Sequence, residues 1–235
     1  MKFVLLAAGK SSRIYNKIKK PKCLLEVNGK TLIEKIIFDI RRLSKSKIYI
    51  VLGFKADMIK KRIQGISNIK FIINKEYNSK DMLYSFILGL KHINDDIVFS
   101  YTDIIFEKKL LKSIISKKNN IYLPVLKNWK QVWRQRKKNF YEDAEDLKID
   151  KFNFLLKIGD KIKKNSNVKY QYMGIFMVPK EQRLKIISLY NKNKTDKLHI
   201  TNFFNIMIKE GVKIKCLKTS YKWYEFDDWQ DYKNY

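Results

Sequence analysis

Through the first hundred residues, short apolar runs rich in β-branched side chains alternate with stretches whose apolar residues recur at helical spacing. The runs Phe3–Ala8, Ile48–Leu52, Ile69–Ile73 and Ile97–Tyr101 predict strands, and Leu32–Leu43, Ala56–Ile63 and Met82–His92 between them predict helices. This β-α-β-α-β-α-β order predicts a parallel sheet with helices on both faces, because parallel neighbours need a crossover and right-handed crossovers cover the sheet. Ligands in such sheets sit beyond the carboxyl ends of the strands. Chemistry is therefore expected in the loops after Ala8, Leu52, Ile73 and Tyr101.

Between Trp129 and Lys164 the pattern changes to clustered aromatics and charges, followed by apolar runs Leu147–Ile149 and Phe154–Ile158 around a turn near Lys151–Asn153. That is the pattern of an inserted hairpin. A strand over Gln171–Val178, helices near Glu181–Tyr190 and Thr201–Glu210, and a run Val212–Lys218 leading to a last strand that ends at Phe226 complete the chain. With neither an internal repeat nor a flexible linker, residues 1–235 are expected to form one domain, with an insertion at about residues 127–165.

Composition changes this picture little. An apolar share of 45% in 235 residues suffices for a substantial core. The net charge of +28 would suit nucleic acid, but the lysines are spread along the chain beside an excess of Asn, Ile, Tyr and Phe, as an AT-rich genome produces. A general attraction for anionic substrates is expected, and no specific nucleic-acid surface. The run Phe3–Ala8 is too short to span a bilayer and leads into Lys10 and Arg13, so membrane insertion is not expected and a cytoplasmic location is. Cys23 and Cys216 form neither a disulfide framework nor a zinc spacing.

The first loop carries the sharpest signal. Gly9-Lys10-Ser11 and Gly29-Lys30-Thr31 both lack the upstream glycine of a P-loop, with Val4 and Leu24 in its place, and no GxGxxG exists. What stands there is Leu6-Ala7-Ala8-Gly9-Lys10-Ser11-Ser12-Arg13, a short basic stretch, then Pro21-Lys22. Small residues let the backbone approach a base and phosphates, while Arg13 and Lys22 supply cations. This arrangement resembles the signature of the nucleotidyltransferase superfamily that includes sugar-phosphate nucleotidylyltransferases, molybdopterin cytidylyltransferases and phosphocholine cytidylyltransferases. Ser11 departs from the glycine usual in the sugar-phosphate branch.

The resemblance implies a Rossmann-like α/β fold, a three-layer α/β/α sandwich with a mixed, mostly parallel sheet and a small inserted β hairpin. It implies Lys22 and Arg13 as catalytic cations, and Leu6, Ala7, Ala8, Gly9, Gly53 and Ser85 as nucleotide-binding. It further implies Asp103 and Asp227 as ligands of Mg2+, with Asp228 as the cap of the following helix. Asp103 also reads as a turn or cap residue, and Ser85 as a helix-surface residue. Tyr101 stands where many relatives carry another acid.

On the acceptor side, Trp129, Trp133, Arg134 and Arg136, followed by Asp143 and Glu145, suit a phosphate carried on a cationic amine: arginines fork phosphate, indoles attract ammonium and carboxylates neutralise it. The run resembles that of cytidylyltransferases acting on phosphocholine or 2-aminoethylphosphonate. A second reading makes the tryptophans, at i and i+4, one apolar helix face. Thr201 reads as an acceptor contact or an N-cap, and Trp223 as a pocket wall or a packing residue. The expected activity is Mg2+-dependent transfer of CMP from CTP to phosphocholine or an aminoalkylphosphonate, with release of pyrophosphate. The alternatives are a sugar 1-phosphate or phosphorylated amide acceptor and, in another class, a non-catalytic RNA-binding module.

Overall fold

Lys2–Ala7 form β1, buried at every position but the first, as a central strand covered on both faces requires. The computed structural model describes residues 1–136, 141, 143–162, 167–195 and 198–235. After β1 comes α1 (Ser12–Ile18), then β2 (Glu26–Val27) and β3 (Lys30–Thr31), joined by Asn28 and Gly29 at φ 51° and 74°, the hairpin turn that an Asn-Gly pair favours. A capping box starts α2 (Leu32–Arg41): the Glu34 N–H donates to Thr31 Oγ1, and the Thr31 N–H donates to Glu34 Oε2. There follow β4 (Ile48–Leu52), α3 (Ala56–Arg62), β5 (Ile69–Ile73), α4 (Met82–His92), β6 (Ile97–Tyr101), β7 (Ile104–Phe106), α5 (Lys108–Ile115), β8 (Ile121–Leu126) and α6 (Trp129–Arg136). The last hundred residues contain β9 (Glu145–Ile149), β10 (Leu155–Lys161), β11 (Gln171–Tyr172), β12 (Ile175–Val178), α7 (Arg183–Asn193), α8 (Ile200–Lys209), β13 (Ile214–Thr219), β14 (Trp223–Glu225) and α9 (Trp229–Asn234).

The main sheet runs β11-β8-β12-β6-β1-β4-β5, with β13 also paired to β8. β6, β1, β4 and β5 are parallel, as the alternating pattern predicts, and β13 is parallel to β8. β12 lies antiparallel to both β6 and β8 and makes the sheet mixed. Alternate residues of β1 feed opposite layers: Val4, Leu6 and Ala8 pack into one core with α4, α7 and α8, while Phe3, Leu5 and Ala7 pack into the other with α2, α3 and α5. The expected three-layer α/β/α arrangement is present.

The inserted hairpin is β9 and β10, turned where the Asp150 carboxylate accepts the N–H groups of Phe152 and Phe154. It docks on α8 through Asn205, whose amide group bonds both the N–H and the C=O of Ile158.

Two details differ from the pattern. Gln171–Val178 is two strands broken at Met173-Gly174, because Gly174 takes φ 69° and its carbonyl accepts the Tyr101 N–H at 2.8 Å. α8 begins at Ile200 with His199 as N-cap, so Thr201 lies inside the helix and does not cap it. Both cysteines are free and buried, and burial pushes each thiol up to about 12. Among the described residues no helix is long and apolar enough to cross a membrane.

Candidate active site

A cleft of about 780 Å3 opens at the carboxyl ends of β1 and β6. One wall is the first loop. Ser11, at φ 58°, is the N-cap of α1, and its Oγ accepts the Lys22 N–H at 2.9 Å, so the two separated pieces of the sequence motif are clamped together. Pro21 then starts a 3-10 turn over Lys22–Leu24 that directs Lys22 inward. Leu6, Ala7, Ala8 and Gly9 line the cleft with Arg13 and Lys22, and a Cβ on Gly9 would meet nothing within 4 Å.

The Lys22 amine contacts Asp103 and stands 3.2 Å from Asp227 Oδ1. Arg13 forks Asp227, at 2.9 Å to Oδ1 and 3.1 Å to Oδ2. Asp103 follows β6. Glu225 and Asp227 follow from β14, which pairs with β7 so that Glu225 lies opposite Ile104, next to Asp103. The carboxylates of Asp103, Glu225 and Asp227 converge until their oxygens lie within 4.8 Å of one another, a cluster of hard ligands that suits a metal ion. Behind them sits Arg136, with no exposed surface, 3.4 Å from Glu225, Asp231 and Asp143 and 4.0 Å from Asp227.

Cations and carboxylates interlock at this centre, where Lys22, Arg13 and Arg136 pair with Asp103, Asp143, Glu225, Asp227 and Asp231. Burial alone would raise Asp227, but Lys22, Arg13 and Arg136 hold it down to about 2. Burial, then Asp227, pushes Glu225 well above the usual carboxylate range, against the pull of Arg136. Burial disfavours the charged Lys22, yet Asp103 and Asp227 outweigh it and raise the amine.

Opposite the first loop, the floor is closed by Asn74, buried, whose amide donates to Ser85 Oγ at 3.1 Å and whose Oδ1 accepts the Glu76 N–H. Ser85 is thus a buried cleft residue and not a helix-surface one. Gly53 does not line the cleft; it lies under it, where a Cβ would sit 2.6 Å from Tyr77 Cβ and 2.9 Å from the Ala8 carbonyl. At the far end, Glu145 and Thr201 line the cleft beside Gly159 and Asn202. Burial, then Asp143 and Asp160, lifts Glu145 to about 7.

The indoles expected around the acceptor stand elsewhere. Trp129, Trp133 and Trp223 are 1%, 3% and 5% exposed, and all three belong to the core on one side of the sheet. Trp133 stacks on Trp223 at 5.3 Å and meets Trp129 edge-on, while the Trp129 and Trp223 N–H groups donate to the Val168 and Met173 carbonyls. The i, i+4 pair is an apolar helix face, and none of the three rings lines this cleft, Trp223 bordering a separate one of about 730 Å3. Arg134 is exposed and lines no part of the cleft, and Arg136 is committed to its carboxylates. Asp143 pairs with Arg136 behind the cleft.

Residues 3–136 match the family model of the MobA-like NTP transferase domain. The chain belongs to this family. It is a nucleotidyltransferase, an enzyme and not the non-catalytic RNA-binding module that charge alone allowed. The chain is 26% identical over 247 residues to the CTP:phosphoglutamine cytidylyltransferase of Campylobacter jejuni, covering 98% of this chain and 97% of that one. Among solved structures of the same fold are the inositol-1-phosphate CTP transferase from T. maritima (TM-score 0.79, 21% identity, 98% and 90% of the two chains) and the CTP:phosphocholine cytidylyltransferase from Streptococcus pneumoniae (TM-score 0.75, 19% identity, 99% and 96%).

Three residues at this centre escape a reading of the sequence alone. Glu225 ends β14 two residues before Asp227, and of the two only Asp227 is expected as a metal ligand. Asn74 carries no local signal beyond ending β5, and Asp231 acts through contacts to Arg136 and the Asp227 backbone that no spacing encodes.

Proposed function

We propose that the protein is a Mg2+-dependent cytidylyltransferase that joins CMP from CTP to the phosphate or phosphonate of a small amine or amide, releasing pyrophosphate. The observation that carries this reading is the convergence of the Asp103, Glu225 and Asp227 carboxylates where Asp103 and Asp227 line the cleft that Lys22 and Arg13 share. The three converging carboxylates fit a divalent cation, which Asp103, Glu225 and Asp227 would hold. Bound there, Mg2+ would supply positive charge to the triphosphate oxygens.

The chain's own residues do the rest. The small residues Ala7, Ala8 and Gly9 leave room for the nucleotide against the backbone, and Lys22 and Arg13 put two cations beside its phosphates. An oxygen of the acceptor phosphate attacks the α-phosphorus; the new O–P bond forms as the bond to the β-phosphate oxygen breaks, and the electron pair leaves with pyrophosphate. That oxygen needs no general base, since a phosphate monoester with a second pKa of ~6 is already largely ionised near neutral pH. Positioning and fixed charge supply the rate.

For the acceptor, Glu145 with Thr201 and Asn202 offers a carboxylate and hydrogen-bonding groups to N–H donors. Among the described residues the cleft is lined by Tyr77 and Tyr101 but by no indole, which favours a primary amine or an amide over phosphocholine. Likeness to cytidylyltransferases supports CTP. The test is pyrophosphate release with Mg2+, each ribonucleoside triphosphate and a panel of phosphorylated amines and amides, aminoalkylphosphonates, phosphocholine and sugar 1-phosphates. Release with CTP and one nitrogen-bearing acceptor, reduced by about 10²-fold or more in Asp103→Ala and Asp227→Ala, is the expected result. A requirement for a sugar 1-phosphate refutes the acceptor class, and activity untouched by either substitution refutes the site.

A further inference from the structure

Two charged groups with no exposed surface, the Arg136 guanidinium and the Asp231 carboxylate, touch no part of the cleft. They grip the end of β14 and the residues just after it, which carry Glu225 and the cleft residue Asp227. Arg136 Nη2 lies 3.4 Å from Glu225 Oε2, 3.4 Å from Asp231 Oδ2 and 4.0 Å from Asp227 Oδ2, and its flat face rests on the Trp133 ring at 4.8 Å. Asp231 Oδ2 accepts the N–H of Asp227 at 2.8 Å and of Asp228 at 3.1 Å. Side chains are thus held from one end and backbone from the other.

Burying an ion pair is a poor way to glue α6 to α9, because a packed apolar pair avoids the cost of desolvation. What an apolar pair cannot do is hold the carboxyl groups of Glu225 and Asp227 side by side. We propose that Arg136 and Asp231 are positioning residues that fix Glu225 and Asp227 for a divalent cation. The inference rests on the reading that the carboxylate cluster takes such an ion. The guanidinium plane matters here: its fork reaches Asp143 through Nη1 and Glu225 and Asp231 through Nη2, whereas an ammonium is a single point.

The experiment is Mn2+ binding to the full chain without nucleotide, read from the paramagnetic resonance of free Mn2+, beside activity as a function of Mg2+. Arg136→Lys and Asp231→Glu each keep their charge, the first exchanging the fork for a single point and the second changing the reach, so an altered affinity reports geometry. Tyr224→Phe removes the bond from Tyr224 Oη to the Asp231 carbonyl, at 2.9 Å, and serves as the structural control on the same helix. The expected result is Mn2+ binding at least tenfold weaker in both charge-keeping variants, with half-saturating Mg2+ raised in step and kcat approaching the native value at saturation. Tyr224→Phe is expected to melt earlier and bind Mn2+ as the native chain does. Native-like Mn2+ binding in whichever charge-keeping variant folds, with activity loss tracking only the loss of folded protein, overturns the inference. Absence of Mn2+ binding by the native protein overturns the metal reading itself.

Discussion

Glu145→Gln exchanges a cleft carboxyl for a neutral group of the same shape, and its effect on stability is predicted to depend on pH. Burial, Asp143 and Asp160 lift the Glu145 carboxyl from its ordinary 4.5 to about 7. Between these values the folded chain keeps a proton that the unfolded chain has released, so the contribution of Glu145 to stability falls as pH rises through this window. Above pH 7 both states are ionised and the whole cost of the buried charge remains. The gap corresponds to about 3 kcal/mol, an upper bound because part of the carboxyl reaches the cleft. The backbone is held independently, by the Glu145 N–H donating to Gln171 Oε1 and the Gln171 amide donating to the Glu145 carbonyl, so the substitution leaves the strand anchored. Urea unfolding of both proteins at pH 4.5 and pH 8.5 gives the double difference in which every other titrating group cancels. Glu145→Gln is expected to gain on the native protein by up to about 3 kcal/mol between the lower and the higher pH. An equal difference at the two pH values refutes the buried, proton-retaining Glu145.

Two further outcomes are expected. Trp133→Ala should lower stability by about 3–5 kcal/mol, because it empties a site packed against Trp129 and Trp223, whereas Trp133→Phe should leave the acceptor KM unchanged; a raised KM with intact stability would restore Trp133 to the acceptor site. Gly53→Ala should cost about 1–3 kcal/mol, read as a shifted urea midpoint at constant slope, and should raise the KM for CTP, since the new methyl group displaces Tyr77 and the Ala8 carbonyl at the cleft edge.

What the sequence disclosed depended on how local the determining physics was. β1, β4, β5 and β6 are short, mainly apolar runs separated by helices of clear period, so the parallel half was legible. β8 has no counterpart among the predicted strands, and Pro124 within Ile121–Leu126 is a residue type that rarely stands in a sheet interior. α1 and α5 also lie outside the predicted elements: α1 crosses the motif loop, and α5 is a short lysine-bearing helix. The first loop, Lys22, Asp103 and Asp227 were legible because a motif of fixed spacing holds them at strand ends. The indole face was ambiguous because the same i, i+4 spacing serves a core and a pocket, and only the stacking of Trp133 on Trp223, 90 residues away in sequence, decides between them. Arg136 drew attention as a phosphate fork. Its true partners arrive from β14 and α9, which local spacing cannot reveal.

The antiparallel strand β12 also imposes an order on the birth of the molecule. β8 joins the rest of the sheet only through β12, which is wedged between it and β6. β12 leaves the ribosome about 50 residues after β8, roughly 3–10 s later at ordinary synthesis rates. During that interval an almost wholly apolar strand waits with both edges open, the condition that invites pairing with a neighbouring nascent chain. Pro124 removes one backbone donor from those edges and so blunts them while the strand waits.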